Sequence, residues 1–417
     1  MTPDVRRIFL AQALRAFAYG FGAVLLGVSL EARGWSGERV GLLLTAIVAG
    51  TALMSIAIGA LGDRVGRRRF YTALFLGLAV SGTAFAFTGS FWLLALVALT
   101  GTLSVDAVES GPFTSLEQAM LPAGLDARAR TRVFGSYNAI AAIAGSAGAL
   151  AAGGPALLRD SIPGLPADQR FFLVFLPVGI MGALLAASLS ERVDAEKRAT
   201  GGSALHRSRA PVFRLAGLFA ADSFGGGFVI QSFIAYWFKT KFDVSTELLG
   251  LVFFANGLLQ AVSFWASTRI AERFGLLNTM VFTHLPSNVF LAAIAFAPSF
   301  PVAVALLFGR QALSQMDVPT RQGYIAALVD PDERTAAAAY TNTARYLTRP
   351  LGPALAGASQ QIALGLPFLL GGGVKIVYDL AIWSWFRRVP IDDGDEPHHP
   401  SDAVGAVLGP PSKGGPK

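Results

Sequence analysis

Residues 59–70 read GALGDRVGRRRF and place Asp63, Arg64, Arg67, Arg68 and Arg69 within twelve positions of a chain that is 53% hydrophobic and only 15% charged. Charge this dense between apolar runs marks a loop at a membrane surface. On one side 40–62 carries no charge, and on the other 70–105 carries none. One membrane-spanning helix needs roughly 20 apolar residues, so 70–105 must fold as a hairpin of two helices. The turn signal TGS at 88–90 lies where that hairpin needs it, and PSFP at 298–301 divides the uncharged run 274–309 in the same way.

Extended along the chain, this reading predicts twelve α-helical spans: 8–31 (α1), 39–62 (α2), 70–88 (α3), 91–120 (α4), 132–153 (α5), 171–190 (α6), 212–238 (α7), 247–269 (α8), 276–297 (α9), 301–328 (α10), 335–358 (α11) and 362–387 (α12). A transmembrane barrel would show alternating ten-residue segments instead. The fold class is therefore an all-α membrane protein. The N-terminal run after MTPDVRR continues apolar for more than twenty residues without a cleavage site, so it reads as a retained first helix.

Composition agrees. A mean hydropathy of +0.52 with 31 Phe and 46 Gly in 417 residues excludes an ordinary water-soluble globule. The net charge of +7 comes from short basic clusters between apolar runs and forms no continuous basic face. The expected surface partner is membrane lipid, with no nucleic acid. The absence of cysteine excludes disulfides and thiol chemistry. The chain has no HExxH, no GxSxG and no P-loop, so it is expected to be no enzyme and no ATP-driven pump, with no metal and no cofactor.

With the termini inside, 22 of the 34 Lys and Arg residues fall on the cytoplasmic side, six in outer loops (Arg33, Arg39, Arg159, Arg170, Lys239, Lys241) and six within helices. Both termini are therefore expected in the cytoplasm of a multi-pass plasma membrane protein, with a bacterial inner membrane as the setting. The polar stretch 191–210 divides the helices six and six. The expected organisation is an N-terminal six-helix bundle (1–190), a cytoplasmic linker (191–210), a C-terminal six-helix bundle (211–388) and a tail (389–417) too poor in apolar residues to fold.

The halves repeat. Asp63-Arg64-Val65-Gly66 recurs as Glu272-Arg273-Phe274-Gly275 and Gly41-Leu42 as Gly250-Leu251, both offset by 209. Thr131, Asn138, Gly148 and Gly153 match Thr335, Asn342, Gly352 and Gly357 at an offset of 204. Each set lies at equivalent helices, as expected of parallel six-helix repeats about an axis along the membrane normal.

On these residues the 59–70 loop resembles the signature of the major facilitator superfamily: Gly, three residues, Asp, Arg or Lys, one residue, Gly, then a basic cluster. Gly59, Asp63, Arg64, Gly66, Arg67 and Arg68 match it. The resemblance implies two pseudo-symmetric six-helix bundles that move a small-molecule substrate by alternating access. It also implies a conformational latch, in which Asp63 meets the N-terminus of α11 in the other half. By the physics of the place, the arginines are expected at the anionic headgroups. Two departures leave direction open: an Arg-Gln-Gly drug-exporter signature is missing from GTLSVDAVESGPF in α4, with Arg310-Gln311 in α10 instead, and AGSAGALAAGGP in α5 is glycine-rich without matching the antiporter pattern.

Charges within spans are costly and so point to function. They are Arg15 (α1); Asp106, Glu109 and Glu117 (α4); Asp222 (α7); Arg310, Asp317 and Arg321 (α10); Arg345 and Arg349 (α11); Lys375 and Asp379 (α12). Lys375 with Asp379, and Asp317 with Arg321, lie four apart and can neutralise each other. Arg345 and Arg349 are like charges on one face and need an anion. Asp106 and Glu109 repel each other unless arginines of α10 or α11 reach across, and Glu117 lies near water. Asp222 has no basic residue within a helical turn, and would be protonated, hydrated or paired with Arg15.

Asp222, Asp106 and Glu109 are thus the candidates for proton coupling. Arg15, Tyr19, Asn138, Gln231, Asp317, Arg321, Asn342, Arg345 and Arg349 are the candidates for substrate binding, with Phe224, Phe228, Tyr236, Trp237, Asn256 and Gln260 nearby in sequence. The expected function is proton-coupled export of small amphipathic compounds by a monomer. Import or exchange of organic anions, and a non-transporting membrane sensor of the same fold, are the alternatives.

Overall fold

A computed structural model describes residues 2–106, 111–121, 127–162, 164, 168–195, 205, 208–329 and 333–389. Glu109, most of the linker and the tail from 390 lie outside them. Among the described residues the regular structure is helical, without strands. The spans run as α1 (Pro3–Ala32), α2 (Gly37–Val65), α3 (Arg67–Phe87), α4a (Phe91–Ala98) with α4b (Pro112–Met120), α5 (Ala127–Ala151) and α6 (Phe175–Ala187, preceded by a 3-10 turn Asp168–Val174). The second half follows with α7a (Arg209–Gly227) and α7b (Gln231–Phe242), α8 (Thr246–Phe274), α9 (Leu276–Ile294), α10a (Phe300–Ser314) and α10b (Asp317–Leu328), α11a (Arg334–Thr348) and α11b (Leu351–Ile362), and α12 (Leu366–Phe386).

Among the described residues eight stretches are long and apolar enough to cross a membrane, and none of them falls on α4, α9, α10 or α11. Those four carry Asp106, His284, Asp317 and Arg345, and such groups are stable in a membrane interior only when they face protein or water.

The expected continuous α4 is corrected by the structure. Between α4a and α4b the described chain is unwound, with Gly101 at φ +70° and Pro112 opening α4b. Its freed carbonyls are satisfied from neighbouring helices: Tyr19 Oη donates to Thr102 O at 2.8 Å, Thr51 Oγ1 to Leu103 O at 3.4 Å, and Ser232 donates to Val105 O through both N and Oγ at 3.0 Å. Non-helical backbone persists at membrane depth only with such partners.

The sequence repeat is also a repeat of contacts. α1 packs on α5 as α7a packs on α11a, and α3 on α6 as α9 on α12. A Cβ at Gly148 would overlap the Phe17 carbonyl, and one at Gly352 the backbone of Gly227. Across the halves, Gly41 meets Pro353 and Gly357 of α11b, while its repeat Gly250 meets Ala149 of α5 and Gly153 just past it. Small residues at equivalent points thus let backbones approach in both halves. The close approaches of Gly27 to Ser232, Gly41 to Pro353 and Gly153 to Glu247 join the halves at the end away from the described chain termini.

The charged loop that opens the sequence argument has a double logic. Gly66 (φ +96°) caps the start of α3, and Gly275 (φ +80°), its repeat, caps α9. Only glycine adopts such angles without strain. Arg67 and Arg68 do more than face headgroups. Arg67 is buried and donates from Nη1 to Ala119 O at 3.0 Å, at the end of α4b. Arg68 donates from Nη1 to Leu189 O at 3.1 Å, just past α6, while its amide donates to Asp194 Oδ1 at 3.1 Å. Cations at helix C-termini offset the helix dipole. Arg64 and Arg69 are exposed. Asp63 sits in the last turn of α2, and its side chain lies outside the described set.

Candidate functional site in the second half

The broken helices converge on a cavity of about 250 Å³. It is lined by Asp222, Ser223 and Gln231 of α7, Asn256 and Gln260 of α8, His284 of α9, Arg310, Gln311, Asp317 and Arg321 of α10, Arg345 and Arg349 at the end of α11a, and Lys375 of α12. Asp106, on the unwound part of α4, is the N-terminal half's polar contribution among the described residues. Local chemistry explains each break. GGG at 225–227 ends α7a, Pro350 follows Arg349 and lacks the amide needed to continue α11a, and Asp317 occupies the first turn of α10b, where a negative charge is favoured.

Asp222 is not isolated, contrary to the expectation. It takes an ion pair from Lys375, and Arg321 Nη1 and His284 Nε2 lie 3.6 and 3.8 Å from its oxygens. Arg15 instead pairs with Glu117 at 2.7 Å in the N-terminal half. The expected Lys375–Asp379 pair does not form, because Lys375 turns to Asp222 while Asp379 contacts His284 Nδ1 at 2.7 Å and accepts from Asn288 Nδ2 at 2.8 Å. Glu117, expected near water, is fully buried and accepts from Arg15, from Tyr71 Oη at 2.6 Å and from Tyr137 Oη. Asp317 and Arg321 do pair, at 2.8 Å.

Asp106 is held from both sides. Arg349 forms an ion pair with it, and Gln231 N at the start of α7b donates to its Oδ1 at 2.9 Å. Among the described residues this is the ion pair that joins the two halves. Arg345, one turn before Arg349, has no ion pair among the described residues, and its buried Nε lacks a hydrogen-bond partner. Arg310 is similar: Nη1 reaches Gln311 Oε1 at 3.3 Å, and Nε is buried without a partner. Among the described residues the wall thus holds five permanent cations (Arg310, Arg321, Arg345, Arg349, Lys375) against three carboxylates (Asp106, Asp222, Asp317).

A family model described as Major Facilitator Superfamily matches residues 8–353 and again 218–411. The chain belongs to the Major Facilitator Superfamily.

In sequence the chain is similar to an uncharacterized membrane protein of Saccharomyces cerevisiae, 25% identical, with the match covering 93% of this chain and 94% of that protein. In structure the chain is similar to the xylose transporter XylE of E. coli in its inward open conformation (TM-score 0.71, 13% identity, 96% of this chain and 99% of that one). It is likewise similar to the human organic anion transporter MFSD10 (TM-score 0.61, 18% identity, 91% and 99%). At these identities the likeness shows the fold alone.

Within this superfamily fold, the sequence candidates separate. Asp106, Asp222, Gln231, Asp317, Arg321, Arg345 and Arg349 come together at the cavity, as do Asn256 and Gln260. Arg15 and Tyr19 sit in the packed core of the first half, while Asn138 and Asn342 are exposed at equivalent places on α5 and α11a. The aromatics of α7 mostly pack: Phe224 meets Phe228 edge to face, and Trp237 Nε1 donates to Leu364 O at 2.6 Å. Sequence reasoning passed over His284 and Asn288, since counting only Asp, Glu, Lys and Arg left α9 apparently uncharged. One His four residues before an Asn, within an otherwise apolar span, was the available signal.

Proposed function

We propose that this membrane protein carries a small organic anion by alternating access, with the anion bound between Arg310 and Arg345. The observation that carries this reading is the pair of cavity guanidiniums, Arg310 and Arg345, that have no carboxylate partner among the described residues. An unpaired buried cation is costly, and a ligand carboxylate, phosphate or sulfonate offsets that cost through charge-assisted, often bidentate hydrogen bonds. The wall is polar and its aromatic groups are turned into packing, which favours the anion over the amphipathic compounds also expected from the sequence. The carrier works as a monomer in the plasma membrane.

A thermal-shift screen tests the substrate class, because a ligand stabilises in proportion to its occupancy. Benzoate or phenyl phosphate is expected to raise the melting temperature and tetraphenylphosphonium to leave it unchanged; the reverse pattern restores the amphipathic-compound reading. Flux of the stabilising anion into proteoliposomes then separates a carrier from a sensor.

Both termini lie in the cytoplasm in this reading, so the end where the halves touch faces outward and the cavity is reached from inside. The chain's lack of cysteine makes the check clean. An impermeant thiol reagent on intact cells is expected to label Ser161→Cys and spare Ser203→Cys, and the opposite labelling inverts the topology.

A further inference from the structure

We infer that His284 and Asp379 form a proton-binding site in the wall of the cavity, so that the carrier loads its anion together with a proton. The loading of the anion rests on the reading above; the proton site stands on its own geometry.

Among the described residues the carboxylates that line the cavity each face a permanent cation: Asp106 faces Arg349, Asp222 faces Lys375 and Arg321, and Asp317 faces Arg321. Asp379 faces none. It is fully buried, and among the described residues its ion-pair partner is His284, with Asn288 donating to the other oxygen. Lys375, one turn earlier on α12, is already committed to Asp222. The charge of Asp379 is therefore balanced by a proton shared with the imidazole, and imidazole is the side chain that changes charge near neutral pH. The second ring nitrogen opens toward the cavity, where Nε2 lies 3.8 Å from Asp222 Oδ1 and His284 lines the wall. That nitrogen is the route by which the proton enters and leaves.

The charged and titratable surroundings of His284 come from three helices: Asp222 of α7, Asp379, Lys375 and Tyr378 of α12, and Arg321 of α10 acting through Asp222. The imidazole thus lies between two carboxylates, of which Asp222 is also held by Lys375 and Arg321 while Asp379 is not. Adding the proton raises the charge of the cavity by one, and adding the anion lowers it by one. Each ligand therefore strengthens binding of the other, by the same factor in both directions. For one proton per anion, anion affinity rises by up to about tenfold for each unit of falling pH while the site titrates.

The remaining histidines, His206, His398 and His399, fall in the linker and tail segments of the sequence. Replacing all three by Gln leaves His284 as the sole imidazole for carbon-13 histidine NMR in nanodiscs. A single titration is expected, moving to lower pH in Asp379→Asn and to higher pH with saturating benzenesulfonate. An imidazole that does not titrate between about pH 5 and 8, or whose midpoint ignores Asp379→Asn, overturns the site. Should Asp379→Asn not fold, infrared pH-difference spectra of the unsubstituted carrier carry the same test: an imidazole or protonated-carboxyl band that His284→Gln abolishes is expected, and its absence overturns the site. Titration without binding of any anion in the thermal screen overturns the anion reading alone. Anion binding that is indifferent to pH overturns the coupled proton alone.

Discussion

Glu117→Gln is expected to leave little folded carrier. The carboxylate accepts from Arg15, Tyr71 and Tyr137 and so ties together α1, α3, α4b and α5, with Arg15 itself 4% exposed and Glu117 at 0%. Removing its charge strands a guanidinium in the core of the first half. Breaking one side of a buried pair costs roughly 3–5 kcal/mol, a large share of the about 5–15 kcal/mol that holds a typical domain together. Melting temperature and the yield of monodisperse protein in detergent measure it. The same physics predicts rescue: Glu117→Leu combined with Arg15→Met, Tyr71→Phe and Tyr137→Phe removes every partner together and is expected to recover much of the loss. A Glu117→Gln protein with the parent's melting temperature would sink the view that this cluster staples the first half.

Arg345→Gln is expected to act in the opposite way, sparing the fold and removing the ligand. Nothing among the described residues pairs with Arg345, and Arg349 one turn away is a like charge, so its loss strands no carboxylate and relieves repulsion. The melting temperature should hold or rise. Binding of the anion chosen by the thermal screen should weaken by at least about thirtyfold, because deleting one member of a desolvated charge pair costs about 2–5 kcal/mol. Titration calorimetry reads this directly. Arg321→Gln is the contrast, since it leaves Asp317 and Asp222 short of a cation and should lower stability along with binding. Unchanged affinity in Arg345→Gln would move the anion away from this face of the cavity.

These contrasting outcomes show what could be read from the chain alone. The all-α, multi-span architecture was legible because a membrane-crossing helix must be apolar over a known length, and the basic loops between spans are short enough to count. The repeat was legible because close backbone contact, as at Gly148 with Gly352, and a positive φ, as at Gly66 with Gly275, both need glycine at the same relative place in each half. Spacing along one helix also found Asp317 with Arg321, since residues four apart share a face wherever the helix lies.

Partners across helices were a different matter. Lys375 had Asp379 one turn away and took Asp222, 153 residues distant; Arg15 took Glu117, 102 residues distant. Helical spacing tells which face of a span a charge occupies, but not which neighbour that face meets. That choice depends on crossing angles, on where α4, α7, α10 and α11 break, and on the depth of each group. The sequence by itself therefore determined the membrane-spanning architecture, its twofold repeat and most of the Asp, Glu, Lys and Arg residues placed within the spans. Only the tertiary structure decided which charges cancel and which stay open, because ion pairing inside a membrane is settled by distances between helices that packing alone sets.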